Sequence, residues 1–291
     1  MKDVAKINNS ATNPIRDVLS GALIEVITSR QIPMVIASLI PLITDVDGID
    51  VTSERVFFNR GYFKGQAQIT DTRPDEAPTV VLDTKRDSVP MKWISTSLQI
   101  TRQDKDLYTK GKTKFANKAL AAMQIMGKTE ETFLKKGLTE LGLEGLDTAE
   151  GVNIVTAAAK WATLTGAQIL EEIRKGWAAH TTGGKFEAES FWLDKDLHDL
   201  LYKPYSDKEP KSTLEILEGR KWFKKIVSIA EYGTATIVED RPTNFGYILD
   251  LPAQLTETYT DKLTEIHLME EHLSSILILQ PQSITKYEGA L

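Results

Sequence analysis

Cysteine is absent from this 291-residue chain. Its absence excludes disulfides, thiolate zinc sites and cysteine nucleophiles together, and it fits synthesis in a reducing cytoplasm. Long apolar runs are missing too. The longest candidate, Ile32–Ile43, is interrupted by Pro33 and Pro41 and is too short to cross a bilayer. Met1-Lys2-Asp3-Val4 lacks the apolar core of a secretion signal, so a soluble protein without export is expected. An excess of positive charge is also lacking. The net charge of -6 argues against a general nucleic-acid binder, while leaving room for a local basic face. What is present is ordinary for a globular protein, with 41% apolar and 26% charged residues. The length allows one large domain or two modest ones with real cores.

Along the chain, Met1–Asn13 is polar and reads as a mobile arm. Pro14 opens a helix to about Arg30, with Asn13 as cap and Val18, Leu19, Ala22, Leu23, Val26 and Ile27 at helical spacing. Ile32–Ile43 is expected to be extended because of its prolines. From Arg55 to Ile100 the pattern turns to strands: Arg55–Phe58, Gly61–Thr70, Thr79–Leu82 and Val89–Ile100, around a polar turn at Asp71–Pro78. Met91, Trp93, Ser95 and Ser97 share one side, too polar a mixture to bury. The segment therefore reads as a two-stranded arm whose partner lies elsewhere.

A long helix follows from Arg102 to about Lys136. Leu107, Phe115, Ala119, Ala122, Met126 and Phe133 form a narrow stripe, and Gly111 and Gly127 weaken it locally. At ~1.5 Å per residue it would run roughly 50 Å across a surface. A Gly-rich connection covers Leu138–Asn153. Thr165–Ala179 reads as a capped helix with Ile169, Leu170, Ile173 and Trp177 on one face. Ser190–Leu193 reads as a strand leading into a helix to Leu201, and Thr213–Glu218 as another short helix. Strands are expected at Ile226–Ile229, Thr234–Val238, Gly246–Leu249 and Ile276–Leu279. Without a βαβ rhythm the class is α+β.

Sites for chemistry are sought among few histidines. His267 and His272 bracket two glutamates, yet five residues on a helix separate them by roughly 140°, unlike a metalloprotease pair. On a strand they face opposite ways, so exposed strand or turn residues are the plainer reading. Asp45–Asp50 has a calcium-loop flavour, but Val56 stands where a bidentate glutamate is needed. Gly183-Gly184-Lys185 lacks the glycine and hydroxyl that a phosphate loop requires at Ala179 and Phe186. Asp194, Asp196 and Asp199 read as the wet face of an amphipathic helix built on Leu193, Leu197, Leu200 and Leu201. No catalytic, cofactor or metal set emerges. One charge feature stands out: Arg102–Lys136 holds nine basic and four acidic residues, a local excess of five. It reads either as a solvated helix face or as a surface that meets a polyanion.

The order of arm, helix, long β-arm, long surface helix and mixed α+β resembles the Hong Kong 97 capsid fold of tailed-phage major capsid proteins and encapsulin compartments. Local text carries the resemblance from about Arg55 onward. Asp87-Ser88-Val89-Pro90-Met91 running into Ser95–Asp106 is similar to the family's extended loop entering its spine helix. Gly142-Leu143-Glu144-Gly145-Leu146, then Val152-Asn153 and Trp161-Ala162-Thr163, resemble the passage after that helix, and Thr165–Ile173 the first axial helix. Phe191-Trp192-Leu193 with Leu197, Ser212–Leu217 and Leu251-Pro252 complete the pattern.

The resemblance implies an N-terminal arm and helix (1–50), an extended β-loop (51–100), a peripheral domain with the spine helix (101–140 and 255–291) and an axial domain (141–254). It implies a non-enzymatic subunit whose pentamers and hexamers tile an icosahedral virion shell, assembled in the host cytoplasm. Packaged double-stranded DNA would lie inside, with a separate scaffolding, portal or decoration protein as further partners and no membrane. The spine helix would then turn Lys105, Lys110, Lys112, Lys114 and Lys118 toward DNA. Only about fifty residues precede the β-arm, which leaves no room for a fused scaffolding domain, and no removed propeptide is expected if Met1 is the native start. Lys64 and Lys85 fall where some relatives cross-link, without a signal for the bond. An encapsulin-like shell around an enzyme or ferritin-like cargo is the alternative, and an uncharacterised enzyme the remote one.

Overall fold

The computed structural model describes residues 35–44, 54–64, 81–109, 116–182, 185–206, 208–261 and 264–291. The arm and helix expected before Arg30, the Asp45–Asp50 loop, the Asp71–Pro78 turn and the Gly183-Gly184 tip lie outside them. The chain divides into two compact units: residues 1–56, 89–148 and 247–276, and residues 57–88, 149–246 and 277–291.

In chain order the helices are α1 (Val35–Leu39), α2 (Arg102–Thr109), α3 (Ala116–Lys136), α4 (Gly166–Thr181), α5 (Lys195–Leu200) and α6 (Thr213–Arg220). The strands begin with β1 (Arg55–Lys64), β2 (Val81–Thr101), β3 (Asn153–Thr156) and β4 (Ser190–Asp194). They continue with β5 (Pro204–Ser206), β6 (Glu209–Ser212), β7 (Lys225–Ile229), β8 (Ala235–Val238) and β9 (Phe245–Gly246). The last are β10 (Leu249–Asp261), β11 (Thr264–Ser274), β12 (Leu277–Ile278) and β13 (Ile284–Glu288).

In the first unit, α1 corrects the extended reading of Ile32–Ile43: a single helical turn fits between the two prolines and buries Ile36 and Ala37. Within this unit β2, from Val89 onward, lies beside β11, and β11 beside β10. β2 buries Ile94, Leu98 and Ile100 on one face, while Trp93, Ser95 and Ser97 stay exposed on the other. Met91 is buried despite its parity, so the expected polar side is Trp93 to Ser97 without it. β11 runs antiparallel to β2 without interruption, from Thr264 opposite Thr101 to Ser274 opposite Met91.

The helix expected over Arg102–Lys136 is observed as α2 and α3, and residues 110–115 lie outside the described residues. Reciprocal bonds start α2: Asp104 Oδ2 accepts from Thr101 N–H at 2.9 Å, and Thr101 Oγ1 accepts from Asp104 N–H at 3.2 Å. α3 buries Ala119, Ala122, Met123, Met126, Glu130, Phe133 and Leu134, at steps of three, four and one. It ends at Gly137, whose φ of 69° lies in the left-handed region that favours glycine. A Cβ there would strike the carbonyl of Leu143 and lie 2.6 Å from the nitrogen of Gly145. Backbone closeness thus requires glycine at Gly137 and Gly145, while Gly142 has open space and a left-handed φ of 66°.

In the second unit, the central sheet has order β3-β13-β8-β4-β7. β4 lies parallel to β7 and antiparallel to β8, and β13 lies antiparallel to β8 and parallel to β3. β4, Ser-Phe-Trp-Leu-Asp, is buried along its whole length, as a strand covered on both faces requires. Ile169, Leu170 and Ile173 of α4 join Trp161, Phe191, Leu193, Leu197, Ile237 and Tyr287 in the core. Thr165 caps α4 as the sequence predicts, with Gln168 closing the box. The domain grouping needs one correction. β13 pairs with β3 and β8, so residues 277–291 belong with this sheet and not with residues 101–140.

Candidate functional site

The basic helix carries the candidate site residues of the sequence, and the structure sorts its charges. Lys118 Nζ lies 2.8 Å from Asp104 Oδ2 and donates to the carbonyl of Gln99 at 3.0 Å. That bond to Lys118, with the two from Thr101, holds the Asp104 carboxyl down at about 2. Lys105 pairs with Glu265 of β11. These two lysines thus tie α2 to the start of α3 and to the sheet, and each carries a compensating acid. Lys110, Lys112 and Lys114 lie outside the described residues. Lys128 of α3, counted in the local basic excess, lines a groove together with Lys92 of β2, which the sequence reading did not single out.

That groove, of about 720 Å³, belongs to the first unit and is lined by β2 from Lys92 to Thr96 and by α3 from Ile125 to Phe133. Trp93, Ser95, Ile125, Thr129, Thr132 and Leu138 line it. Trp93 keeps 48% of its surface exposed and Ile125 60%, and Leu138 and Leu141 are also exposed. Large apolar side chains grouped in this way mark a protein contact more readily than a solvated face. One face of Trp93 is already fixed, because its ring stacks on His272 at 4.3 Å. The available sequence signal was a lone tryptophan on the polar side of a strand.

His267 and His272 do not sit exposed, as expected, but are buried in β11. The cause is topological: β11 is an interior strand between β2 and β10. His272 Nδ1 lies 2.9 Å from Asp250 Oδ2, and His267 Nδ1 lies 3.2 Å from Thr258 Oγ1. They face opposite sides of the sheet, as odd spacing on a strand requires. Asp194 caps α5 through Asp196 N–H at 2.8 Å and accepts from Gly233 N–H at 2.7 Å, a structural task. Asp199 is exposed on the outer side of α5. No group of three or more acidic or histidine side chains among the described residues is arranged to hold a metal ion. Two acids that the sequence reading noted only in passing, Glu130 in the charge balance of the basic helix and Glu271 between the histidines, are only 3% exposed.

Residues 65–289 match the sequence model of a family described as "Major capsid protein". No curated protein matches the chain. Among solved structures, the capsid of Myoviridae phage XM1 is similar over 85% of this chain and 89% of its own, at 11% identity and a TM-score of 0.65. The virus-like particle from Pyrococcus furiosus is similar over 94% of this chain and 98% of its own, at 14% identity and a TM-score of 0.64. A chain of Gordonia phage Cozz is similar over 86% and 84%, at 10% identity and a TM-score of 0.58.

Proposed function

The chain belongs to the major capsid protein family, and on that premise we propose that it closes into pentamers and hexamers of an icosahedral shell around double-stranded DNA. The fold is the α+β Hong Kong 97 type, and the family makes the chain a self-assembling structural component of virions. The observation that carries the proposal is the family match over residues 65–289. The exposed apolar groove of the first unit supports it, since symmetric closure buries such surface against another copy.

Within this reading the unit with the spine helix α3 serves as the peripheral domain and the five-stranded unit as the axial domain. Contact with DNA falls to Lys110, Lys112 and Lys114, assisted by Lys128. Lys105 and Lys118 contribute less, because Glu265 and Asp104 neutralise them. A scaffolding, portal or decoration protein would complete the particle, and assembly would take place in the host cytoplasm.

A second reading, an encapsulin-like compartment, is favoured by the likeness to the Pyrococcus furiosus particle. Electron microscopy of the expressed protein tests the proposal. Closed shells are expected, with nucleic acid inside particles recovered from the native source. Shells filled with protein cargo and free of DNA would select the compartment, and a persistent monomer would sink both.

A further inference from the structure

Glu130 and Glu271 are both buried in the interior of the first unit, close enough for the charge of Glu130 to be felt at Glu271. Glu271 stands on the face of β11 shared with Ile94, its register partner on β2 and itself buried. On the other side β10 bulges, placing Pro252 and Ala253 opposite Glu271. Neither neighbour offers a hydrogen bond from its side chain. Glu271 Oε2 accordingly has no partner and no exposure to water. Glu130 lies on α3 among Met126, Phe133 and Leu134, all buried. Its one side-chain partner is the Tyr247 hydroxyl, which donates to Oε1 over 3.3 Å.

The remaining ionisable groups around the pair are equally uncompensating. α1, Val-Ile-Ala-Ser-Leu, contributes none. α3 contributes Glu131, which accepts from Ile36 N–H at 3.1 Å and repels a charge on Glu130. On the Glu271 face, β11 also carries His267, 3.5 Å from Glu265 Oε2, and β2 carries Lys92 opposite Leu273. His272 lies on the other face, engaged by Asp250 and Trp93. Among the described residues no cation answers the two carboxyls. A buried carboxylate without a cation is costly, whereas a protonated carboxyl is neutral and can itself donate a hydrogen bond.

We propose that Glu130 and Glu271 form a proton-holding pair between α3 and β11, so that the first unit packs tightly with the protons on and loosens when they leave. Burial pushes Glu130 up to about 7, helped by Glu131. Burial pushes Glu271 up to about 8, helped by Glu130. Both values lie above the ordinary 4.5 of an exposed glutamate, so the folded state holds protons that the unfolded chain gives up. Stability is therefore fully present below about pH 4.5 and declines until both groups have ionised near pH 8. The device responds to alkali, with acid as its closing signal.

Two measurements on the full-length protein, in the form in which it purifies, decide the matter. Infrared spectra should show the carbonyl stretch of a buried protonated carboxyl at pH 6, absent at pH 9 and diminished in Glu271→Gln and in Glu130→Gln. The thermal midpoint of the wild type should fall by several degrees between pH 5 and pH 8, and the double variant should flatten that fall. No such band at pH 6, or a band unchanged in both variants, overturns the proposal, as does an equal fall in the double variant. If a variant does not fold, the wild-type infrared titration decides alone. Neither measurement depends on shell formation, so failure here leaves the capsid reading intact.

Discussion

Tyr287 shows how narrowly single residues are set. Its hydroxyl donates to the carbonyls of Glu172 at 3.3 Å and Ile173 at 3.1 Å, reaching the backbone of α4 through the gap left by Gly176. A Cβ at Gly176 would collide with that hydroxyl and its ring. Gly176→Ala should therefore cost about 1–3 kcal/mol, the usual range for overpacking, read from the midpoint of denaturant unfolding. Gly219, near the end of α6, has open space where a Cβ would go, so Gly219→Ala should be neutral or slightly stabilising in the same assay. A glycine in a helical pattern gives the sequence reader no means to separate these two cases. The difference lies in a tyrosine 111 positions away, since Gly176 and Tyr287 meet only after folding. His180 makes the same point: burial lowers its pKa, and its ring bridges Thr285 Oγ1 and the carbonyl of Glu187.

At the scale of elements, local chemistry was legible where a few neighbouring residues settle the outcome. The box of Thr165 and Gln168 at α4 was readable as a cap, and a matching box of Ser212 and Glu215 opens α6. Thr165→Ala should lose about 1 kcal/mol of unfolding free energy. Adding Gln168→Ala should cost less than the sum of the two single changes, because one reciprocal bond pair is being counted twice. The hairpin of β10 and β11 was not legible. Glu265, His267, Glu270, Glu271 and His272 make β11 look exposed, yet an interior strand buries both faces. His272, His267, Glu270 and Glu265 find Asp250, Thr258, Thr256 and Lys105, while Glu271 Oε2 finds no partner among the described residues. α1 was misread for a smaller reason, since one turn of helix needs only the space that two prolines leave.

The whole molecule turns on surfaces that a lone subunit leaves open. Trp93 and Ile125 stand on the groove of the first unit without supporting a core of their own. Ile125→Asp, alone or with Trp93→Ala, should leave the circular dichroism of the subunit unchanged while abolishing particles in sedimentation. Loss of folded signal in both would instead assign these side chains to the interior. Charge makes the complementary prediction. Replacing Lys110, Lys112 and Lys114 with glutamine should impair DNA retention more than shell yield. Replacing Lys105 and Lys118 should act mainly on stability, since each releases a partnered acid. Nuclease-protected DNA per particle, set against particle yield, separates the two.

The sequence by itself determined the α+β class, the order of β-arm and spine helix, the caps, and the absence of thiol chemistry. These follow from composition and from patterns that repeat within a turn or a pleat. Only the tertiary structure decided that β13 completes the second unit, that two basic residues of the spine are spent on internal ion pairs, and that two glutamates are sealed with no cation among the described residues beside them. Each of those outcomes depends on which distant segments become neighbours in a sheet, and burial, unlike periodicity, is a property of that neighbourhood.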